Sequence, residues 1–224
     1  MKRIYVVCEG KTEVLFIKRI LNVDFALHNI DCIPVAIGKD ENRKGGGHIT
    51  IERIITDVRN HLSNPNVYCT TFLDFYGLPP DFPGKQNSKK VNSLEEKSQV
   101  VCNDLKGHLS KALGDKSHRF IPYVQMYEFE GLLFSDPHKF TEISISPKIV
   151  AELQKIRDSF ETPEHINDSQ YTAPSKRILK LIRQYQKPTS GLNIAKAIGL
   201  PIMRQECPLF NAWLDQLAQL SPLE

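Results

Sequence analysis

Ile4-Tyr5-Val6-Val7-Cys8-Glu9-Gly10-Lys11-Thr12-Glu13 is an apolar run that stops at an acid and a glycine and then turns helical. The β-branched run Lys2 to Cys8 predicts a buried strand. Thr12 can cap a helix to about Leu21, because Val14, Leu15, Ile17, Lys18 and Leu21 repeat at helical spacing. Glu9 therefore falls at the C-terminal end of a strand. In open α/β sheets that edge is where ligands bind and chemistry occurs.

The same stretch excludes one reading. Gly10-Lys11-Thr12 looks like the tail of a phosphate-binding loop, whose first glycine would stand at position 5. That residue is Tyr5, and Val6-Val7-Cys8 cannot curl its amides around a phosphate.

Working outward, Ile30 to Ile37 predicts a second strand and Ile49 to Leu62 a helix, closed by Pro65. Val67 to Leu73 is apolar enough for a central strand, and it too ends in an acid, Asp74. Gly77 to Asn92 reads as a loop. Ser93-Leu94-Glu95-Glu96 has capping-box spacing and opens a helix to about Leu109. Phe120 to Met126 predicts a fourth strand, at an edge or a strand start because of Pro122. Two more acids follow it, Glu128 and Glu130. The expected fold is α/β, a mostly parallel four-stranded sheet flanked by helices. After about Phe140 strand signals stop. Pro147–Phe160, Ser175–Tyr185, Leu192–Ile198 and Pro208–Leu220 read as helices, with breaks at Pro188, Gly191, Gly199 and Pro201. The expected division is 1–140 for the sheet domain and 141–224 for a helical extension packed on it through Phe210, Trp213 and Leu214.

Composition sets the class. The chain has 224 residues, 41% hydrophobic and 25% charged, with net charge +3, which permits nucleic-acid contact without requiring it. No stretch reaches membrane-span length and no signal peptide is visible, so a cytoplasmic protein without membrane attachment is expected. The five cysteines are odd in number and widely spaced, without a C-x-x-C, which argues for reduced thiols. The seven histidines make no metal motif. His48, after Gly45-Gly46-Gly47 at a helix start, is the one placed near a candidate anion site.

Glu9, Asp74, Glu128 and Glu130 thus sit after three different strands, and Glu13 lies one turn into the first helix. Hard oxygen ligands suit Mg²⁺ or Mn²⁺. Crowded carboxylates repel and raise one another's pKa, so the cluster implies either a metal or a compensating base. Glu128 and Glu130 share a side if the strand continues and diverge if a helix has begun.

The Glu-Gly turn after strand one and the acid after strand three resemble a Toprim domain. Glu9-Gly10-x-Thr12-Glu13 is similar to the version in OLD-family nucleases. More closely, the chain resembles a bacterial family, domain of unknown function 4276. The shared segments are Glu9-Gly10-Lys11-Thr12-Glu13, Asp74-Phe75-Tyr76-Gly77-Leu78-Pro79, Glu128-Phe129-Glu130-Gly131-Leu132-Leu133-Phe134, Pro174-Ser175-Lys176-Arg177-Ile178, Gly199-Leu200 and Cys207-Pro208-Leu209-Phe210-Asn211-x-Trp213. The resemblance implies a metal-dependent nuclease acting on phosphodiesters, with a role in bacterial defence and an ATPase partner subunit. It implies Glu9, Asp74 and Glu130 as catalytic residues, with Glu13 and Glu128 as further metal ligands. Lys11, Lys44, Ser175, Lys176 and Arg177 are candidate phosphate or nucleic-acid contacts. A homodimer is compatible with the sequence. One departure stands out. Toprim domains usually carry Asp-x-Asp after strand three, and Tyr76 occupies the second position. That departure keeps open the alternative of a non-catalytic module that binds an ATPase partner or nucleic acid.

Overall fold

The computed structural model describes residues 1–37, 49–167 and 171–223. Lys44 and His48 lie outside the described residues. Four parallel strands form the sheet in the order β2-β1-β3-β4: β1 (Lys2–Cys8), β2 (Ile30–Ala36), β3 (Val67–Asp74) and β4 (Phe120–Ile121). A fifth short strand, β5 (Val124–Gln125), also pairs with β3 in parallel. All eight residues of β3 are buried, as expected of a strand covered on both faces.

One expectation is corrected here. The predicted strand Phe120 to Met126 is two short strands separated by Pro122-Tyr123. Proline has no N–H to give to a ladder. Thr71 bridges the gap with its side chain: its hydroxyl donates to the Tyr123 carbonyl at 2.8 Å and accepts from the Tyr123 amide at 3.0 Å.

The helices cover the two faces. Helix α1 (Lys11–Phe16) continues through a π-helical turn (Ile17–Leu21) into α2 (Asn22–Ala26). Helices α3 (Ile51–His61) and α4 (Leu94–Leu113) pack on the other face, where Ile54, Val58, Val101 and Leu105 meet Val7, Cys69 and Leu73. Buried Arg119 ties the α3–β3 connection, donating to the carbonyls of Leu62, Asn64, Pro65 and Val67. Five later helices follow: α5 (Pro147–Asp158), α6 (Pro174–Leu181), α7 (Lys187–Ile198), α8 (Leu200–Glu206) and α9 (Pro208–Ala218). Pro188 and Pro201 do not break helices, as their positions suggested; they sit in the first turns of α7 and α8, where a missing N–H costs nothing.

The α9 helix packs directly on the sheet. Trp213 stacks on Tyr123 at 4.3 Å and on Phe72 at 5.4 Å, and its indole N–H donates to the Thr70 hydroxyl at 2.9 Å. Phe210 and Leu214 are fully buried beside it. No helix among the described residues is long and apolar enough to cross a membrane. The described cysteines are free thiols.

Candidate active site

The strand order sets the location of the site. From β1 the chain passes to β2 on one side and then to β3 on the other, so the topology switches between β1 and β3. Crevices in open α/β sheets form at such a point, beyond the carboxyl ends of the strands. Cys8 pairs with Phe72, which brings Glu9 and Asp74, the residues that leave these strands, side by side. A Glu9 carboxylate oxygen accepts from the Asp74 amide at 3.3 Å. The pairing of Asp74 with Gln125 carries β5 to the same edge. The segment after β5 turns through Tyr127, held at φ 64°, into a 3-10 helix (Phe129–Ser135) that contains Glu130.

Each acid but one is committed to a backbone N–H. Glu13 accepts from the Gly10 amide at 3.0 Å, closing the first turn of α1. Asp74 Oδ1 accepts from the Phe129 amide at 2.8 Å, which docks the Glu130 segment onto β3. Glu128 accepts from the Ser175 amide at 2.8 Å and so caps α6, whose N-cap residue Ala173 has no side-chain acceptor. Because the chain turns helical at Phe129, Glu128 and Glu130 diverge. Glu130 is fully buried, and neither of its oxygens receives a well-aligned hydrogen bond.

What faces Glu130 is a lysine from the C-terminal helices. Lys187 Nζ lies 3.1 Å from Glu130 Oε2, 3.0 Å from Asp74 Oδ2 and 3.7 Å from Glu13 Oε1. Sequence reasoning missed it. Reading Pro188 as a helix break hid a usable signal, since a proline in a first turn marks the residue before it as the start of α7. Lys187 is the compensating base that a carboxylate cluster requires.

The electrostatics follow from burial and crowding. Burial, then the charges of Asp74 and Glu13, raise the Glu9 carboxyl above its usual range. Burial, then Asp74, does the same to Glu13. Burial pushes Glu130 up to about 7 although the Lys187 charge pulls it down. Burial alone would lower Lys187; the charges of Asp74, Glu130 and Glu13 more than reverse that and hold it firmly protonated. One cation thus serves three carboxylates.

Close packing fixes Glu9. A Cβ added at Gly77 would stand 2.6 Å from each Glu9 oxygen, so any larger residue there would displace the carboxylate from this position. Tyr76, at the position where a second aspartate was looked for, stays outside the acid cluster. Its hydroxyl bonds Asn167 and its ring lies against Tyr127 at 5.4 Å.

The candidate phosphate contacts are spread out. Lys11 and Lys176 are exposed. Ser175 is committed to Glu128 through its amide. The Arg177 guanidinium lies over the Phe160 ring at 5.1 Å and donates to the Thr172 carbonyl at 2.6 Å. Lys176, Arg177, Lys155, Lys180 and exposed Tyr171 line a groove of about 390 Å³ between α5 and α6.

Carboxylates at a sheet switch point, one of them buried with no backbone donor, suit a hard divalent cation in donor chemistry. As they stand, no three His, Cys, Asp or Glu side chains among the described residues form a ready-made metal cage. Lys187 occupies the middle of the set.

No curated protein matches the chain. Among solved structures, the C-terminal region of the OLD protein of Xanthomonas campestris pv. campestris is similar at 13% identity and a TM-score of 0.38, covering 97% of this chain and 98% of that one. The model of the family described as domain of unknown function 4276 matches residues 8–218, and the chain belongs to that family.

Proposed function

We propose that this protein is a metal-dependent nuclease of Toprim type that hydrolyses phosphodiester bonds. The observation that carries the reading is Glu130: a fully buried carboxylate that accepts from no backbone N–H and meets only the Lys187 ammonium, converging with Asp74 and Glu13 at the β1–β3 switch point. Buried carboxylates crowded around a single cation are costly, and they persist where a metal or a reaction requires them. Glu9, Asp74 and Glu13 would hold Mg²⁺ or Mn²⁺, and Glu130 would complete the site or orient the attacking water. When bound, the metal polarises the phosphodiester and lowers the pKa of its water. Glu128 acts through structure, since its cap on α6 sets where Lys176 and Arg177 stand. Those two, with Lys11 and Lys44, would track the nucleic-acid backbone. In this reading residues 1–140 carry the acids and 141–224 contribute Lys187 and the basic groove. An ATPase partner, a homodimer, a defence role and a cytoplasmic setting belong to the same proposal.

A second reading has its own support. Tyr76 replaces an expected acid, and Lys187 already neutralises part of the cluster, as in a non-catalytic module that binds an ATPase partner or nucleic acid. One assay separates the two. Purified protein, with an ATPase partner supplied, is incubated with DNA and RNA in Mg²⁺ and in Mn²⁺, beside Asp74→Asn. Metal-dependent cleavage that Asp74→Asn abolishes supports the nuclease. No cleavage in either metal, or equal cleavage by the variant, leaves the binding module.

A further inference from the structure

Resting on the metal-binding reading above, we infer that the Lys187 ammonium is the resident cation of this site and takes the place of one divalent ion. The acids around it divide their oxygens in a regular way. Asp74 gives Oδ1 to the Phe129 amide and Oδ2 to Lys187. Glu13 gives Oε2 to the Gly10 amide and turns Oε1 toward Lys187. Glu130 gives nothing to the backbone and meets Lys187 at 3.1 Å. Three carboxylates from β3, α1 and the segment after β5 thus converge on one positive point. A bridging metal at the same point would need these oxygens drawn in to metal–oxygen distances of about 2.1–2.5 Å, in place of the longer ammonium contacts. An ammonium and a metal cannot share the point. Glu9 stands outside this set of ion pairs and is held instead by the Asp74 amide and the close approach of Gly77. A divalent ion is therefore left with the Glu9 side of the cluster, and Tyr76 adds no second acid there.

The consequence is a count. Lys187→Met removes the charge and keeps much of the side-chain length, so this variant should bind one more Mn²⁺ per chain than wild type. Titration with Mn²⁺, following the free ion by electron paramagnetic resonance, reads the difference directly. Lys187→Arg keeps the charge and should show no gain. A gain of one ion in Lys187→Met alone supports the inference, including the case in which wild type binds none. That last case would sink the nuclease and leave the lysine assignment standing. Equal stoichiometry in wild type and Lys187→Met overturns it. If Lys187→Met does not fold, a wild-type crystal soaked in Mn²⁺ decides. Lys187 Nζ retained between Asp74 and Glu130 supports the inference. An anomalous peak at that point with the lysine displaced overturns it.

Discussion

Glu130 and Glu164 are both fully or almost fully buried glutamates, and burial pushes both up to about 7. Their surroundings differ completely. Glu164 lies at the start of α9, where Cys207 offers no oxygen cap, and its two oxygens accept from the Leu209 and Phe210 amides at 2.9 Å each. It is a helix cap supplied from a distant loop, and its charge faces the positive end of a helix. Glu130 has no such donors, only Lys187. A shifted pKa alone does not distinguish the two. The supply of backbone donors does. A carboxylate that the fold has satisfied is structural; one that it has left unsatisfied, beside other acids at a switch point, is poised for something outside the chain.

The largest expected effect tests the unsatisfied member. Glu130→Gln keeps the shape and removes the charge, so metal-dependent cleavage should fall by roughly a hundredfold or more. The melting temperature without metal should hold or rise, because burial and the neighbouring Asp74 and Glu128 charges disfavour this ionised carboxylate while Lys187 keeps Asp74 and Glu13 as partners. Cleavage close to wild type in Glu130→Gln would make Glu130 no more functional than Glu164.

Next in size is a pH effect at the satisfied member. The Glu164 carboxyl is raised from 4.5 to about 7 in the folded state. The folded protein therefore holds this proton more tightly than the unfolded chain. Stability from this group is full below the unfolded pKa and is lost as pH rises through the folded value. At about 1.4 kcal/mol per pKa unit the loss is on the order of 3 kcal/mol. Melting temperatures of wild type between pH 4.5 and 7.5 should fall more steeply than those of Glu164→Gln, which cannot titrate. Parallel slopes would show that the two N–H donors outweigh burial. At fixed pH, Glu164→Ala leaves two helix N–H groups without their acceptor and should cost about 2 kcal/mol. Its cleavage per folded molecule should stay near wild type, in contrast to Glu130→Gln.

Legibility in the sequence followed the same division. Glu9 and Asp74 could be found because each ends an apolar run, and a parallel sheet must bring such ends to one edge. Glu130 could be listed but not distinguished from Glu128, because that depends on whether backbone past Gln125 is strand or helix. Pro122 pointed to an edge or a strand start rather than to an interruption, and the Thr71 side chain that bridges the gap is a tertiary contact with no local signal. Lys187 was hidden by the double meaning of proline, which ends one helix and begins another. Glu164 was invisible for a different reason: its partners are 45 and 46 residues away, and nothing in its own neighbourhood announces them.

The smallest expected effect is the sharpest test of the comparison. Tyr185 is buried, its hydroxyl has no hydrogen-bond partner of good geometry, and burial followed by the Glu130 charge raises its pKa well above the usual value. If Glu130 is truly without a donor, Tyr185→Phe removes an unpaired buried hydroxyl and should change stability by less than about 0.5 kcal/mol, or improve it. A loss of about 1.5 kcal/mol or more would mean that the hydroxyl donates to Glu130 and that the two glutamates differ less than proposed. A second substitution makes the measurement independent of small errors. A Cβ at Gly191, inside α7, would stand 2.8 Å from the Tyr185 hydroxyl oxygen. Gly191→Ala alone should therefore cost about 1–3 kcal/mol by overpacking. With the hydroxyl removed, the better helix propensity of alanine, about 1 kcal/mol over glycine, should emerge instead. The double variant Tyr185→Phe/Gly191→Ala should melt at or above wild type, and a double variant as unstable as Gly191→Ala would place the strain elsewhere in α7.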